Sequence, residues 1–307
     1  MFDKILVPVD FSESARTAFG HGALFAAAFA SRLELVHVVE EVGQANHAFW
    51  ATEPALASQL HRQALASAEA AMARLLPSLP IAAGTRLETH VLSGTMPSTL
   101  AEYAAETGAG LMVVSTHGRT GLSRWLLGSV SERLLRASPC PVLIARGGSA
   151  QSQPHVRRVL AAVDLSEHSR RALQIAGEVA RRLGAALEVL HVWAAPFYDA
   201  SEHFDAELFE RIRQSARAEL DAFVASATLP AELAVHSSIA SGTPSERIAE
   251  RIQATAPDLL VLGSHGHGGF KRLVLGSVSE STVRYASCAA LVVPPARHAR
   301  ALAGSGL

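Results

Sequence analysis

The segment Leu6-Val-Pro-Val-Asp10-Phe-Ser12-Glu13 recurs 154 residues further on as Leu160-Ala-Ala-Val-Asp164-Leu-Ser166-Glu167. Each copy joins an apolar run to an aspartate, a serine and a glutamate, which is the pattern of a buried strand that turns directly into a helix. The same spacing relates Leu33-Glu-Leu-Val-His37-Val38 to Leu187-Glu-Val-Leu-His191-Val192. The sequence therefore contains two copies of one structural unit.

The later part of each copy matches at a spacing of 148 residues. Ser93-Gly94-Thr95 corresponds to Ser241-Gly242-Thr243, and Leu127-Gly128-Ser129-Val130-Ser131-Glu132 corresponds to Leu275-Gly276-Ser277-Val278-Ser279-Glu280. The spacing shortens between the second and third predicted strands, where a surface connection can lose residues without disturbing a core. We therefore predict domains over residues 1–147 and 154–296, a polar linker over 148–153 and a tail over 297–307.

Composition supports two folded domains and argues against several classes of protein. A chain of 307 residues exceeds the size that one hydrophobic core usually serves, and 49% hydrophobic with 18% charged residues is typical of a folded protein. The net charge of -1 lacks the basic excess on which nucleic-acid binding depends. Two cysteines, Cys140 and Cys288, cannot form a disulfide framework. Without a secretion signal or a bilayer-length apolar run, we expect a soluble cytoplasmic protein with no nucleic-acid or membrane partner.

Short apolar runs alternate with longer amphipathic segments in each unit, which predicts βαβ units around a parallel sheet with helices on both faces. Runs such as Leu111-Met-Val-Val114 show no polar alternation, as expected of strands that are covered on both sides. The predicted strands lie near 4–9, 33–39, 85–92, 111–115 and 141–145, and near 157–163, 186–192, 232–239, 258–262 and 289–293.

Ligands of open parallel sheets bind at the carboxyl ends of the strands, where successive connections part to opposite faces. Asp10 and Asp164 directly follow the first predicted strand of each unit, and glycine-containing loops over 117–128 and 265–276 follow the fourth. We therefore expect the aspartate and the glycine loop of each unit to meet at one site.

The loop ends in Gly276-Ser277-Val278-Ser279-Glu280, and two interpretations of this segment stay open. Ser277 and Glu280 can form a capping box, in which side chains satisfy the free amides of the helix start. Alternatively, the glycine leaves those amides open to an anion such as a phosphate. Other nucleotide and catalytic motifs are missing: there is no P-loop, no complete GxGxxG after the first strand, no GxSxG, no HExxH and no CxxC.

These residues together resemble the universal stress protein family. That family carries a glycine pattern G-x2-G-x9-G-[S/T], which is complete here in Gly263-Ser-His-Gly266, nine residues, and Gly276-Ser277. The first copy departs from the pattern, since Ser115 replaces the first glycine. The resemblance covers both units and implies two tandem flavodoxin-like, Rossmann-like domains with strand order 3-2-1-4-5. It also implies that ATP, with Mg²⁺ left open, binds across the carboxyl edge.

The resemblance further implies a role for each matching residue. Asp164 and Asp10 would lie near the ribose and adenine, Val192 and Val38 would meet the adenine through backbone groups, and the glycine loops would surround the phosphates. The implied nucleotide-binding set is Asp164, Val192, Gly263, Gly266, Gly276, Ser277, Val278 and Ser279 in the second unit, and Pro8, Asp10, Val38, Gly118, Gly128, Ser129, Val130 and Ser131 in the first.

The two sites differ in sequence, and we expect the second to be the stronger. If Gly263 is needed for a positive φ or for close approach of the ligand, the β-carbon of Ser115 would crowd the first site. We expect His37 and His191, inside strands, to be hydrogen-bonded structural residues rather than ligands. Metal binding by the loop histidines stays open; they are His117, His265 and His267.

Three functional classes follow. The first is an ATP-binding regulatory protein of the stress response, in which nucleotide controls conformation or assembly and no residue is catalytic. The second is a slow ATPase or nucleotidyl-transfer enzyme, and the third is a nucleotide-free scaffold or binder of another small molecule. The last strands of the units, near 141–145 and 289–293, are apolar edges, so we also expect the two domains to pair and a homodimer to be feasible.

Overall fold

A computed structural model describes residues 1–40, 53–82, 84–115, 129–146, 154–193, 206–266 and 275–295. Its contacts divide the chain into two compact units, and the boundary falls between Pro154 and His155. The elements of the first unit are β1 (Lys4–Pro8), α1 (Glu13–Phe29), β2 (Arg32–Val39), α2 (Pro54–Leu75), β3 (Arg86–Ser93), α3 (Met96–Glu106), β4 (Leu111–Ser115), α4 (Ser129–Ala137) and β5 (Val142–Ala145). Those of the second are β6 (Arg158–Val163), α5 (Glu167–Leu183), β7 (Ala186–Trp193), α6 (Ala206–Ala225), β8 (Val235–Ser241), α7 (Pro244–Thr255), β9 (Leu259–Gly263), α8 (Ser277–Tyr285) and β10 (Ala289–Val293).

The described part of each unit contains five parallel strands in the predicted order. In the first unit β1 pairs with β2 and β4, β2 pairs with β3, and β4 pairs with β5, which gives β3-β2-β1-β4-β5. The second unit repeats this as β8-β7-β6-β9-β10. The fold class predicted from the sequence is confirmed. Because the order reverses at the first strand of each unit, the crevice there is the natural place for a ligand.

Helices pack on the sheet through small residues. Gly22 in α1 lies so close to the sheet that a β-carbon on it would stand 2.7 Å from Val7 Cγ2 and 3.3 Å from Leu33 Cδ1. In α5 the buried face carries Ala172, Ala176 and Ala180 at helical spacing. This close packing holds the helix starts near the strand ends. None of the helices that the structure describes has the apolar length that a bilayer crossing demands.

The third strand of the second unit begins later than its pattern predicts. The apolar run suggests a start near residue 232, whereas β8 begins at Val235. Pro230 opens a turn that is closed by a 3.1 Å hydrogen bond from the Leu233 amide to the Pro230 carbonyl. Because that amide serves the turn, the residues before Val235 do not join the ladder with β7.

Replacing Gly22 with valine should destabilise the first unit by about 2–3 kcal/mol, since the new side chain has no space against Val7. Ala27→Val, at an exposed position of the same helix, is the matched control for the helix propensity of valine. Urea denaturation followed by circular dichroism measures both. Equal midpoints for the two variants would show that α1 does not pack as described.

Candidate functional site

A cavity of about 410 Å³ lies at the carboxyl ends of β6, β7 and β9 in the second unit. All eight residues that the sequence placed at a nucleotide in this unit line it: Asp164, Val192, Gly263, Gly266, Gly276, Ser277, Val278 and Ser279. Segments that are far apart in sequence therefore meet here. Ala162, the counterpart of the predicted Pro8, lies on the apolar part of the wall. Sequence reasoning did not single out the other apolar residues there, which are Leu190, Pro244, Ile248 and Leu262.

The turn after β6 fixes Asp164. Its Oδ1 accepts hydrogen bonds from the Ser166 amide at 3.1 Å and from the Ser166 hydroxyl at 2.5 Å. Ser166 Oγ in turn accepts from the Ser169 amide at 3.2 Å and so caps α5. Between them, Leu165 takes a left-handed conformation with φ of 64°. Asp164 is therefore not the cap of α5 but the residue that holds its cap.

The same turn recurs after β1. Asp10 Oδ1 accepts from the Ser12 amide at 3.0 Å and from the Ser12 hydroxyl at 2.5 Å, and Phe11 has a φ of 62°. The Ser12 hydroxyl makes no capping bond to α1; its oxygen lies 2.8 Å from Ser14 Oγ. Both units thus orient the aspartate in one way, although the helix cap differs.

Two glycines of the loop after β9 lie against the turn and the helix start. A β-carbon on Gly266 would overlap Asp164 Oδ2, so any other residue there would require the carboxylate to turn aside. Gly263 does not have a positive φ, so the conformational reason suggested for this glycine does not apply. A β-carbon there would meet the His265 carbonyl at 3.2 Å, which is the protein's own backbone.

The start of α8 has no side-chain cap. Gly276 is the N-cap residue, with φ of -58° and ψ of 140°, and its amide donates to the Ser264 carbonyl at 2.8 Å. Glu280 pairs with Arg284 at 3.1 Å instead of reaching back, so the capping box does not form. Among the described residues, the amides of Ser277, Val278 and Ser279 have no acceptor.

Serine hydroxyls connect these helix starts to the preceding strands. Ser279 Oγ donates to the Gly263 carbonyl at 2.7 Å, and Ser131 Oγ donates to the Ser115 carbonyl at 2.9 Å. Both serines are buried, whereas Val278 beside Ser279 is 37% exposed. In the first unit Glu132 pairs with Arg136 at 2.8 Å, as its counterpart does in the second.

The carboxyl end of β7 forms the other end of the cavity. The last pair between β6 and β7 joins Val163 to His191, so Val192 lies one residue beyond the end of that ladder. His191 Nδ1 donates to the Val163 carbonyl at 2.9 Å, and His37 Nδ1 donates to the Val9 carbonyl at 2.6 Å. Both histidines are the hydrogen-bonded structural residues that the sequence predicted.

In the sequence, the repeated Ser-Gly-Thr segment was the signal that could have pointed to the apolar wall. Gly242 has a φ of 127°, and its amide donates to the Trp193 carbonyl at 3.1 Å. This turn starts α7, whose residues Pro244 and Ile248 face the cavity. A glycine at the equivalent Gly94, with φ of 144°, makes the same turn in the first unit.

Not every predicted residue of the first unit is described. Pro8 ends β1, Val38 is buried in β2, and Ser129, Val130 and Ser131 open α4. Gly118 and Gly128 lie outside the described residues, as do His117 and His267. His265 lines the cavity of the second unit, with its Nδ1 2.8 Å from Ser264 Oγ.

One group of side chains among the described residues has the spacing of a metal site, and it lies in β2 and β3 of the first unit: Glu34, Glu88 and His90. The buried Glu34 is already engaged, since Lys4 Nζ lies 2.8 Å from Oε1 and the Tyr103 hydroxyl donates to Oε2 at 2.9 Å. Burial first, and the Glu34 carboxylate second, raise the pKa of Tyr103 well above its usual range, so this hydroxyl remains a donor. A metal there would have to displace these partners.

Comparisons with known proteins agree with this fold. A model of the universal stress protein family matches residues 1–146 and 155–294. A universal stress protein from Mycolicibacterium smegmatis is 29% identical over 306 residues, which cover 95% of this chain and 97% of the relative.

Two solved structures share the fold over almost the whole chain. A protein of unknown function from Pseudomonas aeruginosa PAO1 has a TM-score of 0.67 and 20% identity, and the match covers 98% of this chain and 95% of that one. A universal stress protein from Archaeoglobus fulgidus has a TM-score of 0.57 and 22% identity, with 95% and 96% covered. Since the family model matches both units nearly end to end, this chain belongs to the universal stress protein family and carries two of its domains in tandem.

Proposed function

We propose that the second unit binds an adenine nucleotide, ATP, in the cavity beside Asp164, and that the protein acts by nucleotide-dependent regulation in the stress response. The observation that carries this proposal is the uncapped start of α8. Ser277, Val278 and Ser279 line the cavity, and their three consecutive amides have no acceptor among the described residues. Such amides, together with the positive end of the helix dipole, favour a phosphate.

The helix starts of α5 and α8 differ in how they are capped. Ser166 caps α5 through its side chain, so that helix start has a partner within the protein. At α8 the N-cap is Gly276, whose φ of -58° is open to any residue and whose β-carbon would come no closer than 3.4 Å to its neighbours. Nothing within the described protein requires a glycine there. A ligand that approaches the backbone closely explains why a glycine stands at this position.

The remaining walls suit a nucleoside. The apolar residues Leu190, Ile248 and Leu262 offer the flat ring of a purine a surface to pack on. Val192, beyond the end of the β6 ladder, is placed to offer backbone groups to the base edge. The carboxylate of Asp164 is an acceptor for ribose hydroxyls and the one described carboxylate on the wall that could hold Mg²⁺ with the phosphates.

The first unit is proposed to bind nucleotide through the corresponding positions. It retains the aspartate turn, the serine bond to the strand end and the Gly94 turn, all of which are described in both units. The corresponding set is Pro8, Asp10, Val38, Gly118, Gly128, Ser129, Val130 and Ser131.

Binding without rapid turnover fits the residues on the wall. Among the described residues that line the cavity, Asp164 and His265 are the titratable side chains, and Asp164 Oδ1 already accepts two hydrogen bonds. No lysine or arginine from the described part of the chain joins them to stabilise a transferring phosphoryl group. We therefore infer a regulatory role, in the cytoplasm, and leave pairing of the domains and a homodimer as predictions.

Isothermal titration of the full chain with ATP, and native mass spectrometry of the protein as purified, test the proposal. We expect submillimolar affinity and at least one retained adenine nucleotide per chain. A protein that binds no adenine nucleotide at millimolar concentration would instead be a scaffold or a binder of another small molecule.

Gly276→Ala should weaken ATP binding by roughly tenfold or more, because the added methyl group occupies the space of the phosphate rather than space within the protein. Its thermal midpoint should stay unchanged, since the nearest neighbour of that β-carbon is 3.4 Å away. Gly128→Ala, the corresponding change in the first unit, is the matched control and should leave the second site intact. Unchanged affinity in Gly276→Ala would place the nucleotide elsewhere.

Asp164→Ala should weaken ATP binding. Any ATP hydrolysis above background should persist in this variant, because we assign the carboxylate to the ribose and not to chemistry. Release of ADP from freshly purified protein measures turnover, and Asp10→Ala serves as the control in the first unit. ATP loss that disappears in Asp164→Ala and persists in Asp10→Ala would make the protein a slow enzyme.

A further inference from the structure

One serine hydroxyl in each unit joins the first turn of a helix to the end of a strand. Ser279 Oγ donates to the Gly263 carbonyl at 2.7 Å, and Ser131 Oγ donates to the Ser115 carbonyl at 2.9 Å. A carbonyl oxygen can only accept, so the serine hydroxyl must donate the hydrogen of this bond. Because a serine has a single hydroxyl hydrogen, neither side chain can also donate to a second acceptor.

The hydrogen bond to Gly263 limits how the Ser279 hydroxyl can interact with an anion. With its hydrogen directed at Gly263, the hydroxyl would turn lone pairs towards a phosphate, which is unfavourable. The Ser279 amide, by contrast, has no acceptor among the described residues and lies at the cavity. The backbone and the side chain of one residue therefore have separate tasks.

The hydroxyl bond is one of two that fix the helix start to the strand end. Gly276, the N-cap of α8, donates its amide to the Ser264 carbonyl at 2.8 Å. Ser264 directly follows Gly263, the last residue of β9, and Ser279 is the third residue of α8. The two hydrogen bonds thus have adjacent acceptors at the strand end and both donors at the helix start. Together they restrain the position and the direction of the first helical turn. The direction of the open amides follows from them.

We infer that Ser279 is a positioning residue for the anion site. Its hydroxyl holds the open amides of α8 at the end of β9, and it does not contact the phosphate itself. This inference rests on the proposed function, and it assigns separate tasks to the backbone and the hydroxyl of a residue that the family resemblance implies at the phosphates. The first unit supports it, because Ser131 makes the same bond although its acceptor belongs to Ser115, a serine and not a glycine.

The test compares Ser279→Ala, Ser279→Thr and Ser131→Ala in the full chain. One measurement is the dissociation constant for ATP, and the other is the amide resonances of Ser277 and Val278 in protein freed of nucleotide. Ser279→Ala should shift both resonances and weaken ATP binding by about tenfold, since it leaves a buried carbonyl without its donor and frees the helix start. Ser279→Thr keeps the hydroxyl and should restore both readouts. Ser131→Ala should leave the Ser277 and Val278 resonances unchanged.

The outcomes separate this inference from the proposal on which it rests. If Ser279→Ala loses ATP affinity while the resonances of the nucleotide-free protein stay in place, the hydroxyl contacts the ligand and the positioning role is wrong. If Ser279→Ala binds ATP as the unmodified protein does, the positioning role is also wrong, but the nucleotide site stands. If the unmodified protein binds no ATP, the proposed function itself fails, and the anion role of Ser279 fails with it.

Discussion

The start of α8 is the constraint on which the site depends. A helix leaves its first amides without internal partners, and a protein normally satisfies them with a capping side chain or with water. Here the N-cap is a glycine, the nearby glutamate pairs with Arg284, and the first turn is bonded to the end of β9. The amides of Ser277, Val278 and Ser279 are thus fixed in direction but have no acceptor among the described residues. They form a group of donors at the carboxyl end of β9.

The sheet determines what this group of donors can face. In the order β8-β7-β6-β9-β10, β6 and β9 are neighbours whose connections leave in opposite directions. The turn after β6 therefore brings Asp164 next to the loop after β9, where a β-carbon on Gly266 would overlap the carboxylate. Asp164 and the first turn of α8 therefore line one cavity.

The sequence predicted the architecture better than it predicted the hydrogen bonds. The meeting of Asp164 with the glycine loop follows from the repeat and from the rule for parallel sheets, which involve whole elements, and the strand order follows from the family resemblance. The choice between a capping box and an open helix start could not be made, because Ser277 and Glu280 fit either until the rotamers are known. The direction of the Ser279 hydroxyl depends on how α8 lies against β9, and a shift of one residue would change its partner. The late start of β8 depends on a single turn at Pro230.

The structure also weakens the main reason to rank the two units unequally. That ranking supposed that Gly263 needs a positive φ or that a β-carbon there would crowd the ligand. Its φ is not positive, which removes the conformational part of that reason. A β-carbon there would lie 3.2 Å from the His265 carbonyl oxygen, so a side chain at this position requires that oxygen to shift slightly. The bond from Ser131 to the Ser115 carbonyl shows that the first unit builds the strand end in the same way. The two units also differ at the end of their first strand, where Pro8 corresponds to Ala162 on the cavity wall, so the stronger second site stays a prediction.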